Sequence, residues 1–207
     1  RDYFSEKTWY DFELHNRGHH HHAEHLEKIR QLAKFHFVEQ KEQLGDGHAV
    51  LQAKKLIPAN EPFLVLFGDC LYDGDDVIGK LKQAYKKSQK NIIAVQAIDP
   101  SLASHYGIVT TDTDGKIQTM VEKPDPVQTR LIASVPRAII GRYLLTPSIW
   151  PHLEQQHSAS GEIRLIDALK VLQNEEPIYA VEMTGAWLDT GTLEGMQKAT
   201  ERMRRSV

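Results

Sequence analysis

Pro62-Phe63-Leu64-Val65-Leu66-Phe67-Gly68-Asp69-Cys70 is the stretch that decides the fold. Five consecutive apolar residues, punctuated by a glycine and followed by an acid, predict a strand buried on both faces of a parallel sheet. Such a strand delivers its last side chain to the carboxyl edge of an open α/β sheet, where these folds bind ligands. A carboxylate is costly to hold idle at a sheet rim. Asp69 therefore reads either as a metal ligand or as a cap for Leu71-Tyr72-Asp73-Gly74.

Downstream of this stretch the pattern alternates. Val77 to Ser88 predicts a helix with a lysine-rich outer face, and Asn91-Ile92-Ile93-Ala94-Val95-Gln96-Ala97 a second buried strand. Strand, helix and strand in that order are the mark of a parallel βαβ unit. Tyr106-Gly107-Ile108-Val109-Thr110 and the run from Lys116 to Pro124 flank Asp112-Thr113-Asp114-Gly115, a hairpin turn. The hairpin ends on Glu122-Lys123, just before a proline that stops the strand. Lys123 reads as a phosphate clamp or as half of an exposed ion pair. Ala138-Ile139-Ile140-Gly141-Arg142-Tyr143-Leu144-Leu145 is a further strand, in which Gly141 marks a close approach. Helices follow from Pro147 and from Glu162, then a strand over 178–181. Gly185-Ala186-Trp187-Leu188-Asp189-Thr190-Gly191 is expected to close the sheet ahead of a last helix from Leu193. Asp69 and Asp189, each ending an apolar run, could meet at one edge and share a hard cation such as Mg²⁺.

Upstream, residues 1–18 carry aromatic and charged residues (Tyr3, Phe4, Trp9, Tyr10, Phe12) without a clean period. The tract His19 to His22, with His25, could offer a transition metal the imidazoles of His22 and His25 on one helix face, but with no carboxylate or thiol at ligand spacing it reads as a solvated helix start or tag-like tract. Leu26, Ile29, Leu32 and Ala33 predict an amphipathic helix over 23–34, followed by a short strand, Phe35-His36-Phe37-Val38. Next, Gln40-Lys41-Glu42-Gln43-Leu44-Gly45-Asp46-Gly47-His48 opens a helix through about Leu56. Its glycines would let a ligand near the backbone, or simply serve a strand-to-helix turn. No Gly-Lys-Ser/Thr follows, so this is not a Walker loop.

Composition narrows the classes. With 207 residues and 41% hydrophobic content, the chain can bury a full core as a single domain over 1–207. A net charge of -3 and a pI near 6.4 argue against nucleic acid and acidic membranes as partners. One cysteine suits a reducing compartment, and with no membrane-length apolar run the expected location is the cytoplasm. The expected architecture is α/β: a Rossmann-like mixed, mostly parallel sheet with helices on both faces.

In order along the chain, the pieces resemble the bacterial UTP–glucose-1-phosphate uridylyltransferases, within the sugar-1-phosphate nucleotidyltransferases. They are Gln40 to Val50, Gly68-Asp69, Tyr106-Gly107-Ile108-Val109, Val121-Glu122-Lys123-Pro124 and Ile140-Gly141-Arg142-Tyr143. Gly161-Glu162-Ile163 with Asp167, and Trp187-Leu188-Asp189-Thr190-Gly191, complete the series. The resemblance implies a nucleotide-diphospho-sugar transferase fold and uridylyl transfer from UTP to glucose 1-phosphate, giving UDP-glucose and pyrophosphate. It implies that Gln40 and Gly45 read the uracil edge and that Asp69 and Asp189 hold Mg²⁺. Lys123 would bind the sugar phosphate, Glu122 and Gly107 the glucose hydroxyls, and Gly141 would lie in the substrate site. Self-association into a homo-oligomer is implied as well.

Several positions depart from the family pattern. No Gly-rich loop or first strand precedes Gln40, and the chain opens without Met as though inside a helix. It is therefore expected to be a partial form with little turnover alone. Val135-Pro136-Arg137, Ile166 and Glu39 also differ from common family residues. Two other functions stay open: an inactive nucleotide-sugar-binding or partner protein, and a transferase for another nucleotide or sugar 1-phosphate.

Overall fold

Strand direction is where the sequence expectation changes most. The computed structural model describes residues 9–155 and 161–205, in two compact units, Arg1–Lys41 and Glu42–Val207. Tyr3 and Phe4 lie outside the described residues.

The first unit is helical. Trp9–Asn16 (α1) and His20–Gln31 (α2) turn on Gly18, and Leu14, Ala23 and Leu26 form a small core with Tyr10 against it. Arg30 grips Asp11 through two hydrogen bonds of 2.7 and 3.0 Å. The histidines from His19 to His22 are exposed, and no group of three or more potential ligands assembles among the described residues. The predicted strand over 35–38 does not form. Phe35, Phe37 and Val38 stay exposed, with no neighbouring strand among the described residues to supply a ladder.

The second unit opens on Asp46–Gln52 (α3), which stops short of Leu56; a 3-10 turn, Lys54–Leu56, takes over. Its strands are Phe63–Leu66 (β1), Cys70–Asp73 (β2), Ile92–Ala97 (β3), Gly107–Thr111 (β4) and Ile117–Glu122 (β5). Arg137–Leu145 (β6), Tyr179–Glu182 (β7) and Ala186–Asp189 (β8) complete the set. Val77–Ser88 (α4), Pro126–Ile132 (α5), Ile149–Glu154 (α6), Leu165–Leu172 (α7) and Leu193–Arg205 (α8) are its other helices. Asp76 caps α4 by accepting from the Gly79 N–H at 2.8 Å, a contact that stabilises by about 1 kcal/mol.

The sheet runs β5-β4-β6-β3-β7, with β1 also on β6. It is mixed, as expected, but only β3 and β7 pair in parallel; every other pairing in it is antiparallel. The cause is β6, which runs against β1, β3 and β4 at once. β1 and β3 do share a direction across the α4 crossover, but β6 lies between them. An apolar run reports burial, not direction. β1 is also only half-buried, with Leu66 51% exposed, because β6 is its one partner among the described strands. Cys70-Leu71-Tyr72-Asp73 is the strand β2 rather than a capped turn, and it pairs with β8 in a separate ribbon, so β8 does not close the main sheet.

Alternation along β3 divides the core. Ile93 and Val95 face α6 and α7, packing with Leu153, Leu165 and Leu169; Ile92 and Ala94 face Val77 and Leu81 of α4. Helices thus cover both faces. The far ends of the sheet also meet: Ile117 donates to the Ile178 carbonyl and Ala180 to that of Gly115, each at 2.8 Å. This satisfies part of an edge that would otherwise be open to another chain.

Candidate active site

The site opens where the ladder on one edge of β6 breaks. β1 occupies that edge from Leu145 to Arg142, and β4 takes it up again at Ala138. Between them no described strand pairs with residues 139–141 on this edge, where the Gly141 carbonyl accepts instead from the Phe67 N–H at 2.9 Å. On the opposite edge Ile93 faces Tyr143 and Val95 faces Ile139, so β6 bulges by two residues at the same level. Gly141 sits in the bulge at φ 65°, and a Cβ there would lie 3.0 Å from both Phe67 Cβ and Cys70 Sγ. A cavity of about 390 Å³ fills the break, with Tyr143 and Ile139 among its lining residues.

Two aspartates reach this cavity from separate segments. The β2–β8 ribbon sets Cys70 opposite Asp189, and Thr190 donates to the Asp69 carbonyl from N–H (2.7 Å) and hydroxyl (2.8 Å). A Cβ on Gly191 would lie 3.1 Å from Asp189 Oδ1 and 3.5 Å from Asp69 Oδ2. Two carboxylate oxygens thus border one space that the missing side chain leaves open. Hard, anionic oxygens suit Mg²⁺, which takes one or two carboxylates and fills its octahedron with water and substrate phosphate. The Asp69 loop is held from β6: Arg142 donates to the carbonyls of Phe67 (2.7 Å), Gly141 (3.0 Å) and Cys70. Burial pushes the neighbouring Cys70 thiol up to about 11, so it stays protonated.

Lys123 stands at the end of β5 in the left-handed region, φ 46°, ahead of Pro124. Non-glycine residues adopt this backbone rarely, at a cost of about 1–2 kcal/mol, and such strain gathers at functional sites. Its N–H donates to the Tyr106 carbonyl at 3.1 Å, and its exposed Nζ lies 3.9 Å from Glu122 Oε1. Burial raises the Glu122 carboxyl above its ordinary value; Lys123 works against that shift and Asp46 with it. A Cβ on Gly107 would strike Ile166 Cδ1 at 2.7 Å and crowd Glu122 Oε2 at 3.1 Å, so glycine keeps this wall low.

The Gly45 loop forms another part of the lining. Ile163 N–H donates to the Leu44 carbonyl (2.6 Å), and Asp46 Oδ1 accepts from Gly47 (2.7 Å) and Leu165 (3.0 Å). Gly45, at φ 104°, would bring a Cβ within 2.7 Å of the Ile163 carbonyl. Gln40 belongs to the first unit, where it is half-buried outside regular structure.

Sequence reasoning assigned no role to Tyr106, Arg142 or Arg164, which also reaches the cavity and pairs with Glu162 at 2.6 Å. Arg142 had a signal: a charge inside an apolar central strand must find partners. Tyr106 donates its hydroxyl to Asp189 Oδ2 at 3.0 Å, a contact no local pattern encodes.

A profile of the nucleotidyl transferase family matches residues 14–206. The UTP–glucose-1-phosphate uridylyltransferase of Staphylococcus epidermidis is 36% identical over 208 residues, covering 96% of this chain and 69% of that protein. The enzyme of the same name from Streptococcus pneumoniae is 38% identical over 178 residues, covering 81% of this chain and 58% of its own length. A crystal structure of UDP-glucose pyrophosphorylase complexed with UDP-glucose superposes with a TM-score of 0.82 at 29% identity, covering 100% of this chain and 76% of that one. UTP-bound UGPase from Acinetobacter baumannii gives 0.76 at 29% identity, over 98% and 71%.

Proposed function

The chain belongs to the nucleotidyl transferase family, and from that premise we propose that it carries the uridylyl-transfer site of a cytoplasmic UTP–glucose-1-phosphate uridylyltransferase. The observation that carries this is the meeting of Asp69 and Asp189 beside Gly191, in the cavity that Lys123 and Glu122 also line. The two named relatives are uridylyltransferases of that name, and the two solved structures are UDP-glucose pyrophosphorylases.

In this reaction a phosphate oxygen of glucose 1-phosphate attacks the α-phosphorus of UTP, and the bond to pyrophosphate breaks. No covalent enzyme intermediate is required, so catalysis is positioning and charge neutralisation. Lys123 sets an ammonium at the rim to hold the sugar phosphate. Glu122, acceptor-rich and half-buried beside the low wall at Gly107, bonds glucose hydroxyls. Gly45, in the lining of the cavity, serves the uracil, and Gly141 lets the pocket floor approach the substrate. Asp69 and Asp189 would hold Mg²⁺, which when bound neutralises charge on the transferring phosphate.

Calorimetric titration of the purified chain with UDP-glucose, dTDP-glucose and UDP-galactose tests the proposal. Preference for UDP-glucose, with affinity falling on the order of tenfold or more in Lys123→Ala, is the expected result. Stronger binding of dTDP-glucose would move the site to another nucleotide. Binding of none of the three would refute it.

A further inference from the structure

We propose that Tyr106 is the positioning residue for Asp189, presetting that carboxylate for a cation while tying it to Lys123. The inference rests on the proposal above that Asp69 and Asp189 form the cation pair.

The two aspartates are not held alike. Asp189 has both oxygens engaged: Tyr106 donates to Oδ2 at 3.0 Å and the Gly191 N–H to Oδ1 at 2.9 Å. Two donors on opposite oxygens fix the plane of the carboxylate. Asp69 is exposed, and among the described residues its side chain receives one weak contact, from the Cys70 thiol at 3.6 Å. Asp189 is therefore the preset member of the pair and Asp69 the adjustable one.

Tyr106 is itself well anchored. Its ring packs on Trp187 with centroids 4.6 Å apart. Trp187 and Asp189 are two residues apart on β8 and share a face, so one tyrosine spans both. Its backbone N–H donates to Ala103, and its carbonyl accepts from Lys123 N–H at 3.1 Å, the bond that accompanies the left-handed turn at Lys123. A single residue thus couples the backbone beneath the phosphate-binding lysine to the carboxylate that faces the cation. Outer-shell donors to ligating carboxylates typically govern metal affinity by 10- to 100-fold.

Mn²⁺ binding to the full 207-residue chain, followed by the paramagnetic resonance of the free ion, reads this without turnover. Tyr106→Phe keeps the ring and the backbone bonds and deletes only the donor. It should weaken Mn²⁺ on the order of 10- to 100-fold with an unchanged circular dichroism spectrum. Trp187→Phe, which trims the ring that Tyr106 packs on but keeps an aromatic surface beneath it and spares the donor, should bind within twofold of the parent. Equal losses in both variants would trace the effect to packing and overturn the inference. So would parent-like binding by Tyr106→Phe while Asp69→Asn and Asp189→Asn bind poorly, an outcome that leaves the cation pair standing. Parent-like binding by both aspartate variants, or no binding by the parent, would instead overturn the cation pair and the inference with it.

Discussion

Gly141→Ala tests whether the break in the sheet is built on that glycine. At φ 65° a residue with a Cβ pays for left-handed backbone, about 1–2 kcal/mol. The new carbon would stand 3.0 Å from Phe67 Cβ and Cys70 Sγ and 3.2 Å from Phe67 Cδ2. Neither neighbour moves freely, because Arg142 ties the Phe67 and Cys70 carbonyls to β6. Overpacking of this kind costs about 1–3 kcal/mol. The two effects together come to about 2–5 kcal/mol, or roughly 4–20 °C of melting temperature for a chain of this size. Thermal unfolding followed by circular dichroism measures it. Cys70→Ala in the same chain removes the sulfur contact but neither the Phe67 contact nor the backbone strain, so the double variant should recover only part of the loss. A Gly141→Ala protein melting within a degree of the parent would refute the reasoning, since neither the bulge nor the close approach would then need glycine.

Arg142→Met should leave the Phe67 and Cys70 carbonyls without their charged donor, costing about 2–3 kcal/mol in urea unfolding and speeding amide exchange over residues 67–70; unchanged exchange would remove the clamp. For Glu122 the folded carboxyl lies above its unfolded value, mainly through burial. Its stabilising contribution is therefore complete below the unfolded pKa of about 4.3 and lost as pH rises through the raised folded value. Glu122→Gln should accordingly melt higher than the parent at neutral pH, with the advantage fading in acid, while UDP-glucose affinity falls; a gap constant with pH would contradict the burial argument. Lys123→Asn, a residue that tolerates left-handed backbone, should gain up to about 1 kcal/mol of stability and lose ligand affinity; a less stable variant would show that the Lys123 turn is not strained.

The line between what was legible and what was not follows the range of each interaction. The α4 span, the strand over Ile92–Ala97 and the hairpin on Asp114-Gly115 rest on periodicity and turn chemistry within a few residues, and they appear where the pattern puts them. Asp69 and Asp189 were legible as acids ending apolar runs, although the structure joins them through a separate ribbon and not through the main sheet. Strand direction was hidden, because parallel and antiparallel burial demand the same apolar residues. The run over 35–38 shows the same limit: β-prone residues form no strand without a partner ladder. Tyr106 was hidden for another reason, since its partner lies 83 residues away and a tyrosine before a strand has many ordinary explanations.

Two glycines in this chain differ in what a side chain would meet. Gly45 has a left-handed φ, and a Cβ there would fall 2.7 Å from the Ile163 carbonyl, against backbone that also bonds Leu44 and His48. Packing alone accounts for that glycine, whether or not a nucleobase ever reaches it. At Gly191 φ needs no glycine, and the neighbours a Cβ would meet are two carboxylate oxygens. Nothing in the packing of the fold calls for two like charges to border the same small space; left to themselves they repel. A cation between them, as the proposed function requires, would reverse the sign of that interaction. The bare backbone at Gly191 is then the feature that keeps the space open, and the phenol of Tyr106 and the N–H of Gly191 hold one of its two walls in place.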